Sequence, residues 1–369
     1  MSTETNIPSM ADRLEQLAEA KAKVSVGGGE ERIAKQHERG KLSARERIDA
    51  FADPGTFTES GMFAKHRTVY FGMDKAEAPA DGVVTGSAAV LGRPVHIASQ
   101  DFTVMGGSAG ETQSNKVVDM MKAAHTTGTP FVFINDSGGA RVQEGIDSLS
   151  GYGRVFFNNV LLSGVVPQIS VIAGPCAGGA AYSPALTDFI IQTRKSHMFI
   201  TGPNVIKAVT GEQVTADDLG GADSHMARSG VAHFVADDDE QALLIAKKLL
   251  SFLPQNNTED PPVLDGFEEV EANPELRDVV PVDGSKGYDV RDVIGKIVDG
   301  ADFLEVQAGY AQNLVVGFAR ITGRTVGVIA NQPSVMSGVL DINSSDKGSQ
   351  FIRFCNAFNI PLLTLVDVP

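Results

Sequence analysis

An internal repeat constrains the fold of this 369-residue chain more than any other feature of its sequence. Residues 82–136 align without a gap to residues 313–367 and share 13 identities in 55 pairs, where average residue usage gives roughly 3–4 by chance. Residues 45–59 continue the match to residues 291–305 at an offset of 246 rather than 231, because the first copy carries 15 additional residues around "KHRTVYFGMDKAEAP". The repeat predicts two copies of one fold.

Each copy has the pattern of an α/β unit. "PFVFIN" (130–135) and "PQISVIA" (167–173) are short apolar runs, typical of strands that are buried on both faces. Helical patterns lie between and after them, for example "DDDEQALLIAKKLLSFLP" (237–254). Strands that alternate with helices in this way indicate crossover units and a largely parallel sheet.

The repeat also sets the expected domain boundaries. We expect an N-terminal helical segment at 1–41, a complete first copy at 42–253, a linker at 254–287 and the first part of a second copy at 288–369. The partner of Asp136 is Asp367, so the counterpart of "SGGAR" would begin at residue 368. Since this position lies at the tip of an apolar strand, we expect the second copy to be truncated.

Two glycine turns follow neighbouring strands of the first copy. "DSGGAR" (136–141) comes directly after one apolar strand, and "GPCAGGA" (174–180) ends the next. Glycine allows a ligand to approach the backbone closely, and the N–H groups at the start of a helix favour negative charge. Two such turns could therefore form an oxyanion hole for an enolate or a tetrahedral intermediate. The alternative is that both Gly-Gly pairs only permit tight packing of strand on helix.

Composition excludes several classes of function. The net charge of −15 argues against nucleic acid as the main partner, because phosphate backbones attract basic surfaces. The two cysteines, Cys176 and Cys355, are too few for a disulfide framework or a cysteine-rich metal site, and none of the seven histidines has metal-ligand spacing. No stretch approaches 18 uninterrupted apolar residues, and no apolar signal core begins the chain. We therefore expect a cytoplasmic protein without a metal and without membrane insertion.

Other charged residues leave alternatives open. Asp136 is interpreted as a cap for the first glycine turn, with a catalytic acid as the alternative, and Glu144 is the nearest candidate for an acid/base carboxylate. Residues 30–51 contain a basic cluster that could be a solvated helix face or a clamp for nucleotide phosphates. The members considered for phosphate binding are Arg32, Lys35, Arg39 and Lys41.

Several long motifs resemble those of one enzyme family. "QDFTVMGGSAGE", "NDSGGARVQEGIDSLSGYG", "PQISVIAGPCAGGAAYSPALTDF", "FITGPNVIKAVTGEQVT" and "NQPSVMSGVLDINSSDK" are similar to motifs of the carboxyltransferase subunits of biotin-dependent acyl-CoA carboxylases. The resemblance covers residues 10–369 and is strongest to subunits of the methylmalonyl-CoA carboxyltransferase (transcarboxylase) and propionyl-CoA carboxylase β type. It implies a duplicated crotonase-like (ClpP/crotonase) fold.

The resemblance also implies a reaction and its partners. A carboxyl group would pass between carboxybiotin and the α-carbon of a short acyl-CoA, propionyl-CoA or methylmalonyl-CoA, with biotin supplied by a carrier subunit and none attached to this chain. The family assembles as homohexamers. Gly178 and Gly179 match the family's acyl-side oxyanion motif, and Gly139 and Ala140 match the first turn of the crotonase-like pair.

Three other functions stay open at the level of sequence. The chain could be the α subunit of a methylmalonyl-CoA decarboxylase, or a crotonase-type CoA hydratase or isomerase, which would need free carboxylates in the site. It could also be a CoA-binding assembly module without activity. The sequence does not identify the acyl-CoA or the carboxyl donor and acceptor, and activity of the expected truncated form is an open question.

Overall fold

The computed structural model describes residues 9–266, 273–284 and 286–369. Residues 42–253, the first lobe, contain an eight-stranded sheet with the order β1-β2-β3-β4-β5-β6-β8, in which β7 pairs with β5. β1, β2 and β3 are antiparallel, and the pairs from β3 onward are parallel. The strands are β1 Thr58–Ser60, β2 Val83–Val90, β3 Arg93–Gln100, β4 Phe131–Ser137, β5 Gln168–Ala177, β6 Phe189–Thr193, β7 His197–Phe199 and β8 Phe234–Ala236.

Helices cover this sheet, and three helices at the N-terminal end precede its parallel part. The first and third of these helices begin with a capping box, in which Ser9 and Ser43 accept the N–H groups of Asp12 and Glu46. The helices up to residue 252 are α1 Met10–Ser25, α2 Glu30–Glu38, α3 Ala44–Phe51, α4 Glu111–Thr127, α5 Ile146–Leu162, α6 Gly179–Ala185, α7 Pro203–Thr210, α8 Ala216–Gly220, α9 Ala222–Ser224 and α10 Asp239–Phe252.

Residues 288–369, the second lobe, contain a four-stranded sheet with the order β12-β11-β10-β9. Its order repeats β4-β3-β2-β1, including the parallel pairing of β11 with β12. The remaining elements are α11 Leu276–Val279, α12 Val290–Ile297, β9 Leu304–Val306, β10 Leu314–Ile321, β11 Arg324–Asn331, α13 Ile342–Ala357 and β12 Leu362–Leu365.

The element bounds confirm the duplicated fold. Adding 246 to the bounds of α3 and β1 gives those of α12 and β9, and adding 231 to those of β2 and β3 gives those of β10 and β11. α4 and α13 begin at the same equivalent position. The predicted linker at 254–287 lies partly outside the described residues.

Individual contacts are duplicated as well. Asp53 accepts the N–H groups of Leu91 and Gly92 at 3.1 and 2.7 Å, and Asp299 accepts those of the equivalent turn at 3.0 and 2.7 Å. Lys116 and Lys347 are both buried. Lys116 donates to the carbonyl oxygen of Val83, and Lys347 donates to that of Leu314, the counterpart of Val83. Burial lowers the pKa of each lysine to about 8. Each of these contacts requires the same residue at the same distance along the chain, which agrees with the presence of the two aspartates and the two lysines at equivalent positions of the copies.

The two lobes share one hydrophobic core. Phe189 of β6 packs edge-on against Phe354 of α13, with ring centroids 4.7 Å apart, and against Phe318 of β10 at 5.9 Å. Arg320 donates to the carbonyl oxygen of Ser251 at 2.6 Å and lies over the ring of Phe252. The lobes therefore bury apolar surface against each other across the end of α10.

Candidate active site

The first glycine turn begins where β4 ends. The N–H of Gly138 donates to the carbonyl oxygen of Gly106 at 2.9 Å, and that of Gly139 donates to Oγ of Ser137 at 3.1 Å. Gly139 has a φ of 101°, which favours glycine. Its carbonyl oxygen accepts the N–H of Ala109 at 2.9 Å. The N–H of Ala140 belongs to the same peptide unit, and we find no acceptor for it among the described residues.

The second turn ends β5 and starts α6. The N–H of Gly178 donates to the carbonyl oxygen of Phe199 at 3.1 Å, and the φ of Gly178 is 61°. Gly179 is the first residue of α6, so its N–H has no carbonyl partner within the helix. Within the described ranges no other acceptor contacts it. Of the four predicted residues, Gly139 and Gly178 therefore have bonded amides, and Ala140 and Gly179 have free ones.

The two turns are in contact. Ser137 and Cys176 are paired across β4 and β5, after a bulge in the register. A methyl group on Gly139 would lie 2.8 Å from the carbonyl oxygen of Ala177. Glycine is thus required where the first turn crosses the end of the neighbouring strand, and the sheet brings together the two turns that the sequence singled out.

A buried ion cluster supports the first turn from one side. The Arg141 guanidinium donates to Oδ1 of Asp81 at 2.5 Å and to Oε1 of Glu144 at 2.8 Å. Oε2 of Glu144 accepts the N–H of Glu111, the first residue of α4, at 2.7 Å. Burial raises the pKa of Asp81, and the charge of Arg141 opposes this rise. Glu144 is therefore held in an ion pair with Arg141, and a free acid/base role for it is not supported by its contacts.

A second ion cluster corrects the interpretation of Asp136. Its Oδ2 accepts Nζ of Lys41 at 2.7 Å and Nη2 of Arg47 at 2.9 Å, while Nε of Arg47 binds Asp239 at 2.7 Å. All four side chains are at least nine-tenths buried. Asp136 thus anchors the N-terminal helices instead of capping the turn. The sequence showed no local signal for this pairing, because the partners are 89 or more residues apart.

The four basic residues predicted to bind phosphates do not share one surface. Arg32, Lys35 and Arg39 line a cleft of about 150 Å³ with Phe102 and Thr103. Lys41 is not among them, because its ammonium group faces Asp136; burial lowers the pKa of Lys41, and Asp136 opposes this. The prediction that Lys41 binds a phosphate is therefore not supported by its position, whereas the other three share one surface.

The described residues contain no cluster of three metal-ligating side chains. Nor do they include a helix that is long and apolar enough to cross a membrane.

Comparisons with known proteins identify the family. The model of the carboxyl transferase domain matches residues 35–369. The chain is a carboxyl transferase family member. It is 69% identical to the 12S subunit of methylmalonyl-CoA carboxyltransferase from Propionibacterium freudenreichii subsp. shermanii, over 98% of this chain and 69% of that protein. A propionyl-CoA carboxylase carboxyltransferase subunit from Haloferax mediterranei is 53% identical, over 98% of this chain and 70% of that subunit.

A solved structure agrees with this carboxyl transferase assignment. The transcarboxylase 12S crystal structure, described as a hexamer with hydrolysed methylmalonyl-coenzyme A bound, superposes with a TM-score of 0.97 at 68% identity. The match covers 98% of this chain and 71% of the other. The family resemblance and the crotonase-like fold predicted from the sequence are thereby confirmed.

Proposed function

We propose that the protein transfers a carboxyl group between carboxybiotin, presented by a separate carrier subunit, and the α-carbon of propionyl-CoA or methylmalonyl-CoA. Two free amides, those of Ala140 and Gly179, lie on glycine turns that touch each other, and this arrangement carries the proposal. An anionic thioester oxygen is the natural partner of such amides. The names of the carboxyltransferases to which the chain is similar give methylmalonyl-CoA or propionyl-CoA as the compound they act on.

Bound carboxybiotin would supply the carboxyl group and a base for the α-proton. The contribution of this chain is to hold the thioester and to stabilise the enolate oxygen through Ala140 and Gly179. Gly139 and Gly178, whose amides are bonded internally, set the shape of the two turns. No ionisable side chain has to act in this scheme, which agrees with the ion pair between Glu144 and Arg141. This favours carboxyl transfer over a hydratase or isomerase, which requires an acid/base carboxylate.

We also propose roles for the two lobes. Residues 42–253 would bind the acyl-CoA, with the nucleotide phosphates near Arg32, Lys35 and Arg39 of the N-terminal segment. Residues 288–369 would begin the biotin-binding side, because they repeat the framework of the first lobe as far as the strand that precedes its glycine turn. We propose a homohexamer in the cytoplasm as the working state, to be checked by sedimentation and by cell fractionation.

The test removes a single amide. Gly179→Pro deletes the N–H at the first helical position, where proline is tolerated, and Gly179→Ala is its matched control, because it adds a Cβ and keeps the N–H. We expect Gly179→Pro to lower kcat about 100-fold relative to Gly179→Ala, measured as transfer of labelled carboxyl from methylmalonyl-CoA to free biotin. Equal activity of the two variants would contradict the oxyanion role.

A biotin-free assay separates the rival functions. Hydration of crotonyl-CoA by the wild-type protein, or exchange of the α-proton of propionyl-CoA without biotin, favours the hydratase or isomerase function over carboxyl transfer. Conversion of methylmalonyl-CoA to propionyl-CoA and CO2 in the presence of biotin, with a proton taken up at the α-carbon, favours the decarboxylase. Binding of CoA with none of these reactions favours the assembly module.

A further inference from the structure

Tyr152 belongs to the hydrophobic cluster against which both glycine turns pack. It lies in the second turn of α5 and is 7% exposed, in a cluster that includes Ala109, Cys176 and Ala180. These neighbours belong to the segments that form the two turns or precede them. This position was not predicted, because a tyrosine within a helical pattern carries no local signal of a contact with Gly179.

The ring of Tyr152 packs on the second turn. A methyl group on Gly179 would lie 3.1 Å from Cδ2 and Cε2 of the ring and 3.2 Å from Cγ. The ring face therefore covers the Cα of the residue whose amide we assign to the oxyanion hole. The ring thus fills the space that a side chain at position 179 would occupy, and it supports this turn by close packing.

The second feature of Tyr152 is its hydroxyl group. It is buried, and it has no hydrogen-bond partner within the described part of the chain. Burial raises the pKa of Tyr152, and the side chain of Ser137 opposes this rise. Oγ of Ser137 already accepts the N–H of Gly139 and, as a hydroxyl oxygen, can accept a second hydrogen bond. A buried phenol without a partner is costly unless such a bond forms.

We propose that Tyr152 is a positioning residue that fixes the spacing of the two oxyanion turns, its ring bearing on Gly179 and its hydroxyl holding Ser137 when the turns close on a thioester oxygen. The inference rests on the proposed function, since it concerns the same pair of amides. The ring sets the distance between the turns. The hydroxyl orients the Gly139 end of the first turn, and with it the neighbouring amide of Ala140.

Three variants test the assignment. Tyr152→Leu removes the ring, Tyr152→Phe removes only the hydroxyl, and Phe156→Leu is the matched control. Phe156 stacks on Tyr152 with centroids 5.8 Å apart, one helical turn further along α5, and it is not among the atoms nearest to Gly179. We expect Tyr152→Leu to lower kcat about 30-fold with KM for propionyl-CoA changed less than about threefold. Tyr152→Phe should lower kcat about fivefold, and Phe156→Leu less than about twofold.

A binding measurement tests positioning without turnover. The probe is the nitroethyl thioether of CoA, whose nitronate resembles an enolate, compared with CoA alone by calorimetry. We expect the wild-type protein to prefer the nitronate, and Tyr152→Leu to lose about tenfold of that preference while its affinity for CoA is unchanged. Should Tyr152→Leu fail to fold, the smaller loss expected of Tyr152→Phe is decisive by the same measurement.

The outcomes separate this inference from the proposed reaction. A nitronate preference that is lost in the Tyr152 variants supports positioning even if the wild-type protein transfers no carboxyl group, in which case only the proposed reaction fails. An unchanged kcat and an unchanged nitronate preference in folded Tyr152→Leu overturn the inference. Losses of kcat and of nitronate preference in Phe156→Leu that equal those in Tyr152→Leu also overturn the inference, because general packing of α5 would then explain both variants. A wild-type protein without any nitronate preference overturns both.

Discussion

Nη2 of Arg47 lies 2.9 Å from Oδ2 of Asp136, and both side chains are almost completely shielded from water. The pair joins α3 to the residue before the first glycine turn, and Lys41 binds the same carboxylate oxygen. Arg47 also reaches Asp239, the first residue of α10. The N-terminal helices are thus fastened to the sheet at the edge where the candidate active site lies.

Asp136→Asn should destabilise the protein strongly. The change leaves two buried cations with one carboxylate, and breaking a buried pair from one side typically costs about 3–5 kcal/mol. The measurement is the free energy of unfolding in urea. The control is Glu31→Gln, which breaks the exposed pair with Lys35 and should leave the unfolding midpoint unchanged. Similar effects of the two variants would contradict a supporting role for the buried pair.

Gly107→Ala should be much more harmful than Gly106→Ala. Both glycines have positive φ, 62° and 65°, but a methyl group on Gly107 would lie 2.1 Å from the carbonyl oxygen of Asp136, whereas on Gly106 its nearest neighbour is 3.9 Å away. The repeat agrees, since the counterpart of Gly106 is Ser337 and that of Gly107 is Gly338.

We expect Gly106→Ala to cost about 1 kcal/mol of stability through its backbone conformation alone. Gly107→Ala should cost on the order of 3–5 kcal/mol and lower kcat, because the backbone under the first turn has to move. Thermal unfolding and carboxyl transfer would be measured in parallel. Equal behaviour of the two alanine variants would show that this close approach does not shape the turn.

His233 should make the protein lose stability in mild acid. Burial lowers the pKa of His233 to about 4, and Nδ1 accepts the N–H of Ile190, so protonation would place two hydrogens against each other. The unfolded chain binds this proton near pH 6.5. Below that pH the unfolded state carries more protons, so stability is full above about 6.5 and falls as the pH drops towards 4.

The variant for this prediction is His233→Gln, which keeps an acceptor and does not titrate. The unfolding midpoints of wild type and variant should approach each other as the pH falls from 7 to 5. The full contribution of the neutral histidine to the free energy of unfolding is roughly 3 kcal/mol. His125→Gln, at an exposed histidine of α4, should keep the wild-type pH dependence. A pH-independent difference between wild type and His233→Gln would refute the assignment.

Arg39→Ala should weaken binding of the nucleotide part of the substrate. Arg39 lines the basic cleft, and loss of one charge-assisted contact to a phosphate corresponds to a rise in KM for propionyl-CoA of about tenfold. kcat should be nearly unchanged, because the contact is equally strong in ground and transition states. The propionyl thioester of pantetheine, which lacks the nucleotide, should react equally with wild type and variant.

The control for the cleft is Lys122→Ala, at an exposed lysine of α4 that does not line it. This variant should show the wild-type KM. A comparable rise in KM for Lys122→Ala, or a similar loss with the pantetheine thioester, would mean that overall charge rather than this cleft binds the phosphates.

The sequence by itself determined the duplicated α/β fold, the two glycine turns and the family, because repeated residues, apolar runs and Gly-Gly pairs are local patterns with local causes. Only the tertiary structure decided which amides are free, that Lys41 and Glu144 are occupied by ion pairs, and that the ring of Tyr152 packs at Gly179. The partners in these contacts come from different strands and helices: Arg141 is 60 residues from Asp81, and Arg47 is 192 residues from Asp239. No spacing in the chain encodes such meetings, since they follow from how the sheet brings its edges and helices together.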